Sequence, residues 1–195
     1  MRIGKKAEAL IHQFEGIDKP SQWPGGASGI TIPYGYDLGY ENFEEDWKGM
    51  LPNPTYNALL KAVGVKGEAA RKIAPTFKGL KIPLDKAAEI FENIVIPREE
   101  NKTIKTFPGC ETLHPDAFGA LVSLIYNRGN LINNTDKRKE MLGLYNLFRR
   151  GTPFNLREIA NLVEAQKRLW KDVQSSDGDL HDRRIAEAQL IRSTI

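Results

Sequence analysis

The chain has 195 residues, a formal net charge of +3, 41% hydrophobic and 27% charged residues; this balance excludes a disordered, fibrous or low-complexity protein and supplies a real core. No apolar run approaches the roughly 20 residues that cross a bilayer, and the first residues (Met1, Arg2, Ile3, Gly4, Lys5, Lys6) carry no apolar export core, so stable membrane insertion and a cleavable signal are not expected. The single cysteine, Cys110, excludes an internal disulfide framework and reads as a small buried filler.

In chain order, Ile3, Ala7, Leu10, Ile11 and Phe14 form one apolar stripe of an opening helix, with Glu15 on its last turn and Gly16 as the stop. Residues 17–39 change character, with glycines and prolines between β-formers. They predict a small hairpin or three-stranded sheet, with Gly25, Gly26 and Gly29 as turns and Ile30, Thr31 and Ile32 as strand. Beyond Tyr40 the pattern is helical to the end. Short helices are expected over 41–50 and 54–63, the second opened by Pro54. A longer helix begins at Leu84 and Asp85 and is bent or broken at Pro97. Residues 115–126 are apolar on most sides and predict the central buried helix. Helices over 137–150, 156–171 and 181–192 follow, separated by Gly151 and by Ser175, Ser176, Asp177 and Gly178. The expected fold class is α+β and predominantly helical: one domain over 1–195, with a helix-plus-sheet lobe over 1–50 and a helical lobe over 51–195.

Acid–base cleavage of a glycosidic bond needs one carboxylic acid still protonated near neutral pH and a second, ionised carboxylate across the scissile bond. Glu15, at a helix C-terminus where partial negative charge disfavours another anion, is suited to the first role, with Phe14 beside it to exclude water. Asp37, in a polar, glycine-rich turn, is suited to the second, although an Asp before Leu38 and Gly39 also braces its own turn.

The segment Phe14-Glu15-Gly16, followed by SGITIPYGYDLG over residues 28–39, resembles the active-site signature of phage-type lysozymes, and most closely the pesticin-like branch. The resemblance implies a lysozyme-like fold, with Glu15 as general acid, Thr31 as the threonine that holds the attacking water, and Asp37 as the aspartate beyond the strand turn, six positions after Thr31. FGALVSLIYNRGN over residues 118–130 is similar to the family's buried helix, and LHDRRIAEAQL over residues 180–190 to its Arg-Arg-x-x-Glu helix. In this chain Pro33 stands where the family has Gly, which fixes φ and removes an N–H at that point.

The implied activity is hydrolysis of the β-1,4 bond between N-acetylmuramic acid and N-acetylglucosamine. Tyr34, Tyr36 and Trp23 are expected as sugar-stacking aromatics, with Asn127 and Arg128 as further substrate contacts. Each has a plainer reading: hairpin aromatics cover a small sheet, Asn127 and Gly129 cap a helix, and Arg183, Arg184 and Glu187 form an ion-pair network supporting the fold. The three histidines, His12, His114 and His181, lack ligand spacing, so neither a metal nor another cofactor is expected. The expected partner is the peptidoglycan strand, with an immunity or inhibitor protein as a further class; no nucleic-acid module is present, and a monomer is expected. The protein would be made in the cytoplasm and reach the cell wall after release or delivery. Alternatives are a lytic transglycosylase, a chitin- or chitosan-type glycosidase, and a noncatalytic cell-wall-binding or toxin module.

Overall fold

The structure, a computed structural model, describes residues 3–16, 19–170 and 178–195. Met1, Arg2, Ser175, Ser176 and Asp177, named above, lie outside the described residues, as do positions 17, 18 and 171 of the ranges given. In order, the elements are α1 (Lys5–Phe14), β1 (Thr31–Ile32), β2 (Tyr36–Asp37), α2 (Phe43–Asp46), α3 (Asn53–Leu60), α4 (Gly67–Ile73) with a 3-10 turn (Ala74–Phe77), and α5 (Leu84–Ile90) with a π turn (Phe91–Val95). Then follow α6 (Ile96–Thr106), a 3-10 turn (Cys110–Thr112), α7 (Pro115–Arg128), α8 (Lys139–Arg150), α9 (Leu156–Ala165) with a 3-10 turn (Gln166–Trp170), and α10 (Gly178–Arg192). Helix accounts for 62% of the structure, and the one sheet among the described residues is the two-stranded β1–β2 ribbon. The fold is therefore α+β with helix dominant. No helix among the described residues is long and apolar enough to cross a membrane.

Backbone contacts group the chain into two compact units, Glu15–Val95 and Met1–Phe14 with Ile96–Ile195. This division differs from the expected lobes 1–50 and 51–195. The opening helix belongs with the C-terminal hundred residues because its stripe of Ala7, Leu10 and Ile11 is buried there.

In the larger unit α1 packs on α7 at very close range. A side chain at Gly119 would put a Cβ 2.2 Å from that of Ala7, so only glycine permits the approach. The first turn of α1, whose amides have no partner within the helix, donates from Ala7 to the Asp116 carboxylate at 3.3 Å. α7 is the central helix the sequence implied: Asp116 to Ile125 are all buried. Burying Phe118, Leu121, Val122, Leu124 and Ile125 contributes about 1.5–3 kcal/mol for each side chain. His114 caps its start, accepting from the Asp116 N–H at 3.2 Å, and Gly129 ends it at φ +70. Cys110 is buried and free; burial, then the charge of Glu111, pushes its thiol up to about 12, so it is no nucleophile.

Buried charge on α10 meets polar side chains of α7. Arg183, Arg184 and Glu187 are at most 1% exposed. Glu187 accepts from the Ser123 hydroxyl at 2.6 Å, from Arg183 at 3.3 Å and from Arg184 at 2.9 Å. The expected supporting network is present. The Phe14 ring lies 5.8 Å from the Arg183 guanidinium.

In the smaller unit the core is Ile30, Ile32, Leu38, Phe43, Trp47 and Leu59, all fully buried. The short helix expected over 41–50 forms at α2 only, and α3 carries Pro54 in its first turn. The break expected at Pro97 is a π turn just before it. A proline ring clashes with the carbonyl four residues back, here Asn93, so the α-helical ladder widens upstream of the proline.

Candidate active site

The hairpin is built by its loop. Strands β1 and β2 pair antiparallel with Ile32 opposite Tyr36 and Thr31 opposite Asp37, which leaves Pro33, Tyr34 and Gly35 as a three-residue connection. Tyr34 (φ 64) and Gly35 (φ 69) are both left-handed, the backbone that matches strand twist in tight hairpins. Pro33 opens this loop and is not a strand residue, so its missing N–H removes no ladder bond.

Directly opposed residues of an antiparallel pair share one face, so Thr31 and Asp37 point to the same side of the ribbon. Thr31 is 6% exposed. Asp37 is half-buried, and its carboxylate is held by backbone amides. Gly29 N–H donates to both oxygens at 3.0 Å, and Gly39 N–H donates to Oδ1 at 2.8 Å. Among the described residues it has no ion pair, and its bonds are to backbone amides. Gly29, expected as turn material, is a bridge residue paired with Lys66. It must be glycine, because a Cβ there would lie 2.3 Å from Asp37 Oδ1 and 2.6 Å from Gly39 N.

Glu15 is half-buried and follows the last residue of α1, one position beyond the expected last turn. The next residue, Gly16, is fastened to the hairpin loop, its carbonyl accepting from Tyr34 N–H at 3.0 Å. Glu15, Thr31 and Asp37 thus belong to one compact unit. A groove of about 380 Å³ opens beside the same loop, lined by Pro33, Leu80 and Ile82 with Lys19 and Lys81.

The expected aromatics divide. Tyr36 is corrected: it is 3% exposed, its hydroxyl donates to Asp46 at 2.7 Å, and its ring meets Trp47 edge-on at 5.8 Å. It faces opposite to Asp37 along the strand and belongs to the core, where no sugar reaches. Tyr34 is half-buried and stacked on Phe91 at 5.3 Å. Trp23 is half-buried, its indole N–H donating to Ser28 O at 2.9 Å. Asn127 and Arg128 lie in the other unit and have structural partners there. Asn127 Oδ1 accepts from Arg184 at 3.3 Å, while Arg128 donates to Lys137 O at 2.6 Å and sits over the Trp170 ring. Burial, and then neighbouring Arg138, lower the Arg128 pKa from its usual value.

Sequence reasoning passed over Tyr40 and Lys66. Tyr40 is 59% exposed, its hydroxyl donates to Ala27 O at 2.9 Å, and the Lys66 ammonium lies 3.6 Å from its ring centroid. No residue spacing signals this pair, since the Gly29–Lys66 bridge that brings it together is non-local. A comparison of the sequence with known protein families finds no match, and a comparison with curated proteins finds none either.

Proposed function

We propose that this protein cleaves the β-1,4 bond between N-acetylmuramic acid and N-acetylglucosamine in peptidoglycan, as an acid–base glycoside hydrolase on a lysozyme-like fold. The observation that carries the reading is the hairpin register, which pairs Thr31 with Asp37 on one face, together with the Gly16–Tyr34 bond that fastens the residue after Glu15 to the same hairpin. Glu15 protonates the leaving oxygen. Asp37, an anion held by two amides, orients and activates water, and the Thr31 hydroxyl fixes that water's second hydrogen-bonding direction.

The test is incubation with purified sacculi and mass analysis of the released muropeptides. Wild type releases reducing muropeptides, and Glu15→Gln, with an unchanged circular dichroism spectrum, releases none. Lysis by the variant at the wild-type rate overturns the assignment.

One observation favours a second reading. Asp37 Oδ1 is already taken by Gly29 and Gly39, as in a carboxylate that simply braces its turn. A lytic transglycosylase needs only the acid at position 15, because the muramoyl 6-hydroxyl replaces water as nucleophile. Anhydro-muramic ends among the products would select that chemistry.

A further inference from the structure

Two aromatic side chains grip adjacent carbonyls of one short loop. The turn over residues 25–28 is closed by Ser28 N–H donating to Gly25 O at 3.2 Å, and it is made possible by Gly25 (φ 111) and Gly26 (φ 59). Tyr40 donates its hydroxyl to Ala27 O, and Trp23 donates its indole N–H to Ser28 O, each at 2.9 Å. Ser28 O also accepts from Gly67 N–H at 2.9 Å, so the loop is secured from beneath. The polar end of each ring is spent on backbone, and exposed Tyr40 keeps carbon and π surface toward solvent. Lys66 holds the Tyr40 ring by cation–π contact at 3.6 Å. An exposed tyrosine usually samples several rotamers, whereas this one is fixed at its hydroxyl and at one face while remaining 59% exposed.

The loop leads directly into Gly29, whose amide holds Asp37, and Tyr40 follows Gly39, whose amide does the same. Tyr40 N–H also donates to Asp37 O at 3.0 Å. The rings are therefore anchored to the same backbone that holds the carboxylate.

We propose that Trp23 and Tyr40 form a carbohydrate subsite that takes the apolar C–H face of an N-acetylhexosamine ring, with Lys66 as a positioning residue for Tyr40. The inference deepens the glycan-cleavage reading and rests on it for the continuity of the bound chain. Ring faces with no free donor suit a sugar's axial C–H surface, and preorganised rings bind with little ordering cost.

The probe is the β-1,4 trimer of N-acetylglucosamine, titrated into the full chain and followed by the ring resonances of Tyr40 and Trp23 and by upfield shifts of the sugar protons. Wild type shows both. Tyr40→Ala weakens binding by roughly tenfold, the worth of one aromatic contact. Tyr40→Phe, which keeps the ring and loses the bond to Ala27, retains most of it. With sacculi as substrate, Tyr40→Ala raises KM and leaves kcat near wild type. Equal losses in the Ala and Phe variants would assign Tyr40 a loop-bracing role and overturn the proposal, as would trimer binding that leaves both rings unshifted. If Glu15→Gln still lyses sacculi while the trimer shifts both rings, the active-site reading fails and the subsite stands.

Discussion

The protein buries or half-buries charge in two ways. In the helical unit, Arg183, Arg184 and Glu187 are withdrawn from water and answer one another through side chains, with Ser123 as the hinge of the network. In the hairpin unit, Asp37 is answered by backbone amides of Gly29 and Gly39. The ion pairs lie within α10, and bonds to Ser123 and Asn127 tie that helix to α7. An amide cradle fixes a carboxylate's direction. The first arrangement is structural, and the second is the one on which the proposed reaction draws.

The comparison breaks most visibly at Glu187. Glu187→Ala removes the carboxylate that two buried guanidinium groups share, and the expected loss is about 3–5 kcal/mol, read as a lowered urea midpoint. Gly29→Ala acts on the other side. Its Cβ meets Asp37 Oδ1 at 2.3 Å, so the carboxylate or the Gly39 backbone must move. The stability cost is expected at about 1–3 kcal/mol, with muropeptide release falling by at least roughly tenfold. If Gly29→Ala is destabilised and stays fully active, Asp37 is a brace and the contrast between the two regions dissolves.

A smaller effect sharpens the contrast through pH. Hydrogen bonds from Lys167 and then Arg192 hold the Glu164 carboxyl below its ordinary value of 4.5. Because the folded value is the lower one, this stabilisation is full above pH 4.5 and is lost as pH falls through the folded value. The pair with Arg192 is partly exposed, so Glu164→Gln should cost about 0.5 kcal/mol at pH 7. That gap should close as pH falls through the folded value in paired urea titrations. A gap that persists in acid would mean that packing, and not charge, is the contribution of Glu164.

How much of this was legible in the sequence depended on whether the signal was local. The stripe of Ala7, Leu10 and Ile11, the all-round apolar run of α7 and the Arg183–Glu187 spacing each lie within a few turns of one helix, and each appears as expected. The hairpin's existence followed from its glycines and β-formers, and its register set Thr31 against Asp37. The amide cradle did not follow, because it is made by backbone N–H groups of Gly29 and Gly39 on the two arms of the hairpin, and residue types do not announce which amides close on a carboxylate. Tyr36 and Tyr34 read alike in sequence. One strand position decides that Tyr36 enters the core while Tyr34 remains half-buried in the loop. α4 was missed because its seven residues bury only Ala70 and carry no apolar stripe.

The connection between β1 and β2 keeps a tyrosine where glycine would sit more comfortably. At φ 64 the Tyr34 backbone is left-handed, a conformation costing a non-glycine residue roughly 1 kcal/mol, and its stacking on Phe91 offsets part of that strain. Tyr34→Gly should therefore leave the melting temperature nearly unchanged. A measured drop in glycan turnover at constant stability would identify the tilted ring as something selected for use at the bench of the reaction, and an unchanged turnover would reduce it to a lid on Phe91.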